Sequence, residues 1–179
     1  MKNQLNPHFL FNSLNVLSSL IKHDSEKAQV FVDEFSSVYR YTLDVIEKPV
    51  VVLGEEFNFA KSFLYLQKIR FNNAVDLEIN VDASKLRYLV PPLAIQTLLE
   101  NAFKHNKASV HNKLKINIYN EDDALVVINN LQPKIKGNDS KGVGLNNLRK
   151  RYELLGEKFP QFSVTEKEYI VKIPLINPE

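Results

Sequence analysis

The spacing of apolar residues changes once along this chain, and that change limits what it can fold into. Up to Phe71 the apolar positions recur at helical spacing. Leu10, Leu14, Leu17 and Ile21 make one stripe, and Phe31, Phe35, Val38, Thr42 and Val45 make a second. The link between them, His23-Asp24-Ser25-Glu26, offers Asp24 or Ser25 as an N-cap and is short enough to imply an antiparallel hairpin. Two helices alone cannot enclose both stripes, so pairing with a second copy into a four-helix bundle is the expected completion. Glu47-Lys48-Pro49 ends the second helix, because proline disfavours helical geometry in the residue before it. A third helix, Glu55 to Phe71, carries Phe59, Phe63 and Leu66 on one face, with Phe57, Ala60 and Leu64 beside it.

Beyond Phe71 the period becomes two. Leu77, Ile79 and Val81 alternate with polar residues, as do Leu114, Ile116 and Ile118, and later Tyr169, Val171 and Ile173, the pattern of strands with one wet face. Leu125 to Ile128 is a continuous apolar run suited to a central strand. Helices are expected after Pro91-Pro92 up to about Asn106, and from Leu145 to Leu155 with Gly156 as the C-terminal stop. The expected architecture is α+β: a helical hairpin over residues 1–49, then an α/β sandwich over residues 50–179 whose mixed sheet is covered on one face by helices.

Composition narrows the function. The net charge of +2 gives no basic excess for direct nucleic-acid binding. The chain has no cysteine, which excludes disulfides and thiolate zinc sites. No apolar run reaches the roughly 20 residues that cross a bilayer, and Met1 to Pro7 lack the layout of a signal peptide. The chain as written reads as soluble, a piece of a longer protein that meets a membrane only through segments upstream.

Three islands can carry chemistry: Asn6-Pro7-His8-Phe9-Leu10-Phe11-Asn12, then Pro91 to Asn106, then Gly142-Val143-Gly144-Leu145-Asn146-Asn147-Leu148. Each has a plain structural reading when taken singly: a helix-surface histidine, the polar side of an amphipathic helix, and a turn. Their context points elsewhere. A neutral imidazole is a nucleophile near physiological pH, and Asn12 follows His8 by one helical turn on the same face. In the second island Leu98, Leu99, Ala102 and Phe103 occupy the buried side, leaving Asn101, Lys104 and His105 clustered on neighbouring turns. One asparagine carbonyl is an adequate protein share for magnesium that phosphates and water otherwise surround, and Lys104 adds a point charge for phosphate oxygens. The glycine pair follows the polar stretch Lys134 to Lys141 and opens a helix, where free backbone N–H groups suit phosphate.

Together, and in this order, the islands resemble the LytS-type sensor histidine kinase family, with its NPHFLFN box and its Bergerat, or GHKL, ATPase part. Arg40-Tyr41 and Arg70-Phe71 also look like that family. The resemblance implies His8 as phosphoacceptor, Asn101 as magnesium ligand, Lys104 and His105 as phosphate neighbours, and Gly142 and Gly144 as lid glycines beside Leu145. It implies ATP and Mg2+, a homodimer built on the hairpins, and phosphoryl relay to a response regulator, often of the LytTR type.

The chain departs from that pattern at three places. Asn129-Asn130-Leu131 stands where the class has an aspartate followed by Asn-x-Gly, so an uncharged amide takes the adenine amino group, and Leu131 replaces a glycine able to reach positive φ. The distal Gly-Thr element is missing, since Thr165-Glu166-Lys167-Glu168 leads into the last strand. Phe9 stands where many histidine kinases have an acid, leaving the proton acceptor unassigned and Glu100 as a candidate for organising water or metal. Asn129, Leu131 and the missing distal glycine element favour a second reading, a dimeric signalling scaffold that binds nucleotide weakly or not at all, whereas His8, Asn12, Asn101 and both lid glycines oppose it. A third, an ATPase driving conformational work, lacks its catalytic glutamate, because Thr97 occupies the preceding turn.

Overall fold

A computed structural model describes residues 7–134, 143–156 and 158–178. Helix α1 spans Pro7–His23 and α2 spans Ser25–Val45. The turn between them is set by Asp24, whose carboxylate accepts the Lys27 N–H at 3.0 Å as the N-cap. The chain then crosses β1 (Val51–Val52), α3 (Leu53–Arg70) and β2 (Val75–Asn80). A 3-10 turn, Ala83–Arg87, leads to β3 (Leu89–Val90) and α4 (Ala94–His105). Strands β4 (Leu114–Glu121) and β5 (Ala124–Asn130), helix α5 (Val143–Leu154) and strands β6 (Gln161–Val164) and β7 (Glu168–Pro174) complete it.

The main sheet has the order β2-β4-β5-β7-β6, with β2 and β4 parallel and the other pairs antiparallel, so it is mixed. The apolar run Leu125–Ile128 lies in its central strand, as the sequence implies. Leu114, Ile116, Ile118, Leu125, Val127, Val171 and Ile173 point to one face and are buried against the helices, whereas Lys115 and Asn117 point away and are exposed. From α5, Leu148 and Tyr152 reach into the same core, and the Tyr152 hydroxyl donates to Pro174 O at 2.7 Å.

The hairpin does not stand apart from this core. Phe31, Val38, Thr42 and Val45 are buried, which bears out the α2 stripe, and they lie against α3 of the same chain. Helix α3 is therefore a middle layer, buried on both sides, which is why its apolar residues run almost round its circumference. On α1 the expected stripe needs correction. Phe9 and Ser13 face inward, with Val16, Leu20 and, from the expected stripe, Leu17 against the core, while Leu14 and Ile21 are exposed. Four phenylalanines tie the layers together: Phe9 lies 6.0 Å from Phe35 and 5.5 Å from Phe63, and Phe63 lies 6.3 Å from Phe103 on α4.

Several boundaries differ from the sequence expectation. Helix α3 begins at Leu53 rather than Glu55 because the Leu53 N–H is taken by Tyr88 O at 2.8 Å, beside the β1–β3 pair that the periodicity does not reveal. Val81 falls outside β2, and α5 begins before Leu145. Gly156 takes φ +69 just past α5, the positive value that ends a helix at least cost with glycine.

Candidate functional site

The second island folds as α4, and its start is unusual. Leu93 is the N-cap residue with φ 61 and ψ 22, a left-handed conformation that costs a non-glycine residue energy, and it has no side-chain cap. The missing cap comes from α3. Glu56, fully buried, accepts the Leu93 N–H at 2.8 Å through Oε1 and the Ile95 N–H at 3.1 Å through Oε2. Its Oε1 also accepts the Tyr41 hydroxyl of α2 at 2.9 Å. Burial pushes the Glu56 carboxyl above the ordinary carboxylate value, while the two amides, the Tyr41 hydroxyl and the Arg151 guanidinium pull it back. Tyr41 is itself pushed up, first by burial and then by the Glu56 charge.

Along α4, Thr97, Asn101, Lys104 and His105 follow one another at helical spacing on the side that is not buried. Gly144 in the first turn of α5 meets this side: a Cβ added there would lie 3.3 Å from Thr97 Cγ2. Glycine lets α5 approach α4 closely, so Asn101 lies one turn from the point of contact and Leu145 packs against the core. Gly142 lies outside the described residues.

Asn129, next to last in the central strand, has its side chain on the helix-covered face, in register with Ile116 and Tyr169, and is 4% exposed. Its amide donates to Asn130 O at 2.8 Å. Asn130 turns to structure, accepting the Lys115 N–H at 2.8 Å and donating to Lys113 O at 3.1 Å. The segment after it is pinned to the far end of α4: Asn106 Oδ1 accepts the Gln132 N–H at 2.7 Å, and Lys134 Nζ donates to Phe103 O at 2.8 Å. Burial lowers the Lys134 pKa, with the Arg70 charge adding to the effect.

Glu100 faces a different way from Asn101. It accepts from Gln96 Nε2 at 3.1 Å and opposes the lowering that burial imposes on the Arg70 guanidinium of α3. Arg70 and Asn12 both line a small cavity of about 10 Å³ with Ser13 and Gln67. Arg70 thus feels the Glu100 charge from α4 and shares a cavity lining with Asn12 of α1. The side chain of His8 lies outside the described residues; its backbone is in the first turn of α1, immediately before the buried Phe9.

The chemistry of the donor set fits magnesium with a polyphosphate. No group of three or more His, Asp or Glu side chains able to hold a metal occurs among the described residues. One amide oxygen, with a lysine on the neighbouring turn, is compatible with a magnesium ion that phosphates and water otherwise surround. Sequence reasoning found the α4 face and Gly144 but missed Glu56. The available signal is its spacing, which puts an acid on the same helical stripe as Ala60, Phe63 and Gln67, all buried.

Residues 1–75 match a family model described as histidine kinase. The "Sensor protein LytS" of Staphylococcus haemolyticus is 38% identical over 102 residues, covering 57% of this chain and 18% of its own length. That of Staphylococcus saprophyticus is 33% identical over 126 residues, covering 69% of this chain and 21% of its own. The chain therefore spans about a fifth of the length of the curated relatives it matches. Among solved structures, the catalytic domain of histidine kinase ThkA aligns with a TM-score of 0.48 at 21% identity, covering 70% of this chain and 93% of that one. No described helix is long and apolar enough to cross a membrane. Residues 1–75 therefore match the histidine kinase family model, and over 102 to 126 residues the chain is similar to sensor proteins of the LytS type.

Proposed function

We propose that this chain is the kinase end of a sensor histidine kinase that transfers the γ-phosphoryl group of ATP to His8. The observation that carries the reading is the two-sided placement of α4. One side carries Thr97, which meets the glycine-opened start of α5, with Asn101 and Lys104 on the following turns of that side. The other side packs through Phe103 on the phenylalanine chain that seats Phe9, next to His8.

In this reading Asn101 supplies the magnesium ligand and magnesium neutralises phosphate charge; Lys104 and His105 adjoin the phosphates, Gly142, Gly144 and Leu145 border them, and Asn129 accepts the adenine amino group. Phosphoryl transfer depends chiefly on position and charge stabilisation, so the chain's part is to hold donor and imidazole in line. Asn12 orients the imidazole one turn away, and Glu100 with Arg70 orders the polar space between α1 and α4. Residues 1–49 act as the dimerising phosphoacceptor region and residues 50–179 as the ATP-binding region. The exposed Phe11, Leu14 and Ile21 of α1, with Leu43 of α2, are the surface for a second copy. The phosphoryl group passes on to a response-regulator aspartate, the regulator being of the LytTR type, and the longer protein is held at the cytoplasmic side of the membrane by segments upstream.

The scaffold reading draws on Asn129 and Leu131. Calorimetry with a non-hydrolysable ATP analogue separates the two. Magnesium-dependent binding that weakens at least about tenfold in Asn101→Ala supports the kinase; absence of binding by the unaltered chain supports the scaffold.

A further inference from the structure

The peptide unit that joins Pro92 to Leu93 is gripped at both ends by opposite charges from two other helices. Its N–H donates to Glu56 of α3 at 2.8 Å, and its carbonyl accepts from Arg151 Nη1 of α5 at 2.8 Å. Glu56 and Arg151 also act on each other electrostatically across it. Two prolines precede this unit and fix φ there, and the left-handed Leu93 follows, so the start of α4 has few other conformations to adopt. The start of α4 is therefore fixed from outside the helix.

That point is wired to the hairpin. The oxygen of Glu56 that holds Leu93 is the one that accepts the Tyr41 hydroxyl of α2, and Tyr41 is seated by stacking on Phe59 at 4.7 Å. Beside Tyr41 the packing of α2 on α3 opens into a groove of about 460 Å³ lined by Ser37, Asp44, Lys48, Glu55 and Asn58. The α2 end of the link can shift there without compressing the core, whereas Glu56 itself cannot.

We propose that Glu56 is a positioning residue that relays the placement of the hairpin to Asn101 by holding the Pro92–Leu93 peptide, with the Tyr41 hydroxyl as its separable contact. The proposal rests on the kinase reading for its consequence. Asn101 lies eight residues beyond Leu93, about 12 Å along the helix, so a tilt of about 5° at the start moves it by about 1 Å. A misplacement of that size costs up to about a hundredfold in a positioned reaction.

The test uses Tyr41→Phe, which keeps the ring and deletes only the hydroxyl, and Glu56→Gln, which sets an NH2 against one of the donors. In the nucleotide-free chain, amide hydrogen exchange at Leu93 and Ile95 is expected to quicken about fivefold in Tyr41→Phe, while Ile118 and Val127 in the sheet stay unchanged. Unchanged exchange at Leu93 and Ile95, or equal quickening in the sheet, overturns the link. This arm needs no nucleotide, so it decides the link even if the kinase reading fails. In the nucleotide arm, Tyr41→Phe is expected to slow phosphorylation of His8 about tenfold at saturating ATP, with the Kd for the analogue within about twofold of the unaltered chain. A rate that is unchanged, or that falls only in proportion to nucleotide affinity, overturns the relay. Glu56→Gln, where it folds, is expected to show the larger change in both arms, and a change smaller than that of Tyr41→Phe counts against it.

Discussion

Replacing Phe9 by alanine removes the ring that seats the start of α1 on α3, and the cost follows from the packing. Phe9 is 7% exposed and meets the rings of Phe35 and Phe63 at centroid distances of 6.0 and 5.5 Å. A buried phenylalanine truncated to alanine costs about 3 to 5 kcal/mol, including the cavity it leaves. Phe9 lies in the first turn of α1, and a helix end frays more readily than its middle and relieves part of that cavity, so the lower figure of about 3 kcal/mol applies. Urea unfolding followed by circular dichroism measures the loss, and amide exchange locates it. The exchange should quicken first in α1 and later in α4, because α4 retains its own contacts to the sheet. Phosphorylation of His8 should fall while affinity for the nucleotide analogue stays within about twofold. A loss below about 1 kcal/mol, or quickening spread evenly over the chain, would refute the reasoning, because the hairpin would then not be seated through this ring.

Two further outcomes follow from the same geometry. Gly144→Ala places a methyl 3.3 Å from Thr97 Cγ2, so nucleotide affinity should drop several-fold, and adding Thr97→Ser, which deletes the opposing methyl, should restore much of it; calorimetry on the double variant reads this, and no restoration would show that the close approach is not the cause. Burial holds Glu56 above the ordinary carboxylate value, and an acid raised on folding favours the folded state below its unfolded value and loses that advantage as the pH rises through the folded one. The stability of the unaltered chain minus that of Glu56→Gln should accordingly shrink as the pH rises from about 4 toward neutrality, and urea titrations in which the difference grows would contradict the assignment.

Much of the architecture is legible in the sequence because it follows from local periodicity. The α2 stripe, the central strand at Leu125–Ile128 and the stop at Gly156 are all read from neighbours in the chain. What escapes is decided by distant partners. The two-residue strands β1 and β3 exist because Val51 and Val52 pair with Val90 and Leu89, and no window of sequence contains both. Strand β6 has every residue exposed, so it carries no alternation to detect. The face of α1 is misread in part because Leu14 and Ile21 look as apolar as the inner Phe9, Val16, Leu17 and Leu20, and only the docking of α3 chooses between them. Of the site, the α4 face and Gly144 follow from residue type and spacing. The role of Glu56 does not, since an acid near the start of a helix reads as a solvated charge until the left-handed Leu93 is seen to need its carboxylate.

The measurement that bears most directly on the account is the site of phosphorylation. Incubation of the chain with Mg·ATP, followed by mass mapping under alkaline conditions, should find a single acid-labile phosphoryl group on His8 and none in His8→Ala. Labelling that persists in His8→Ala, or an unlabelled chain that nonetheless binds the nucleotide, would contradict it.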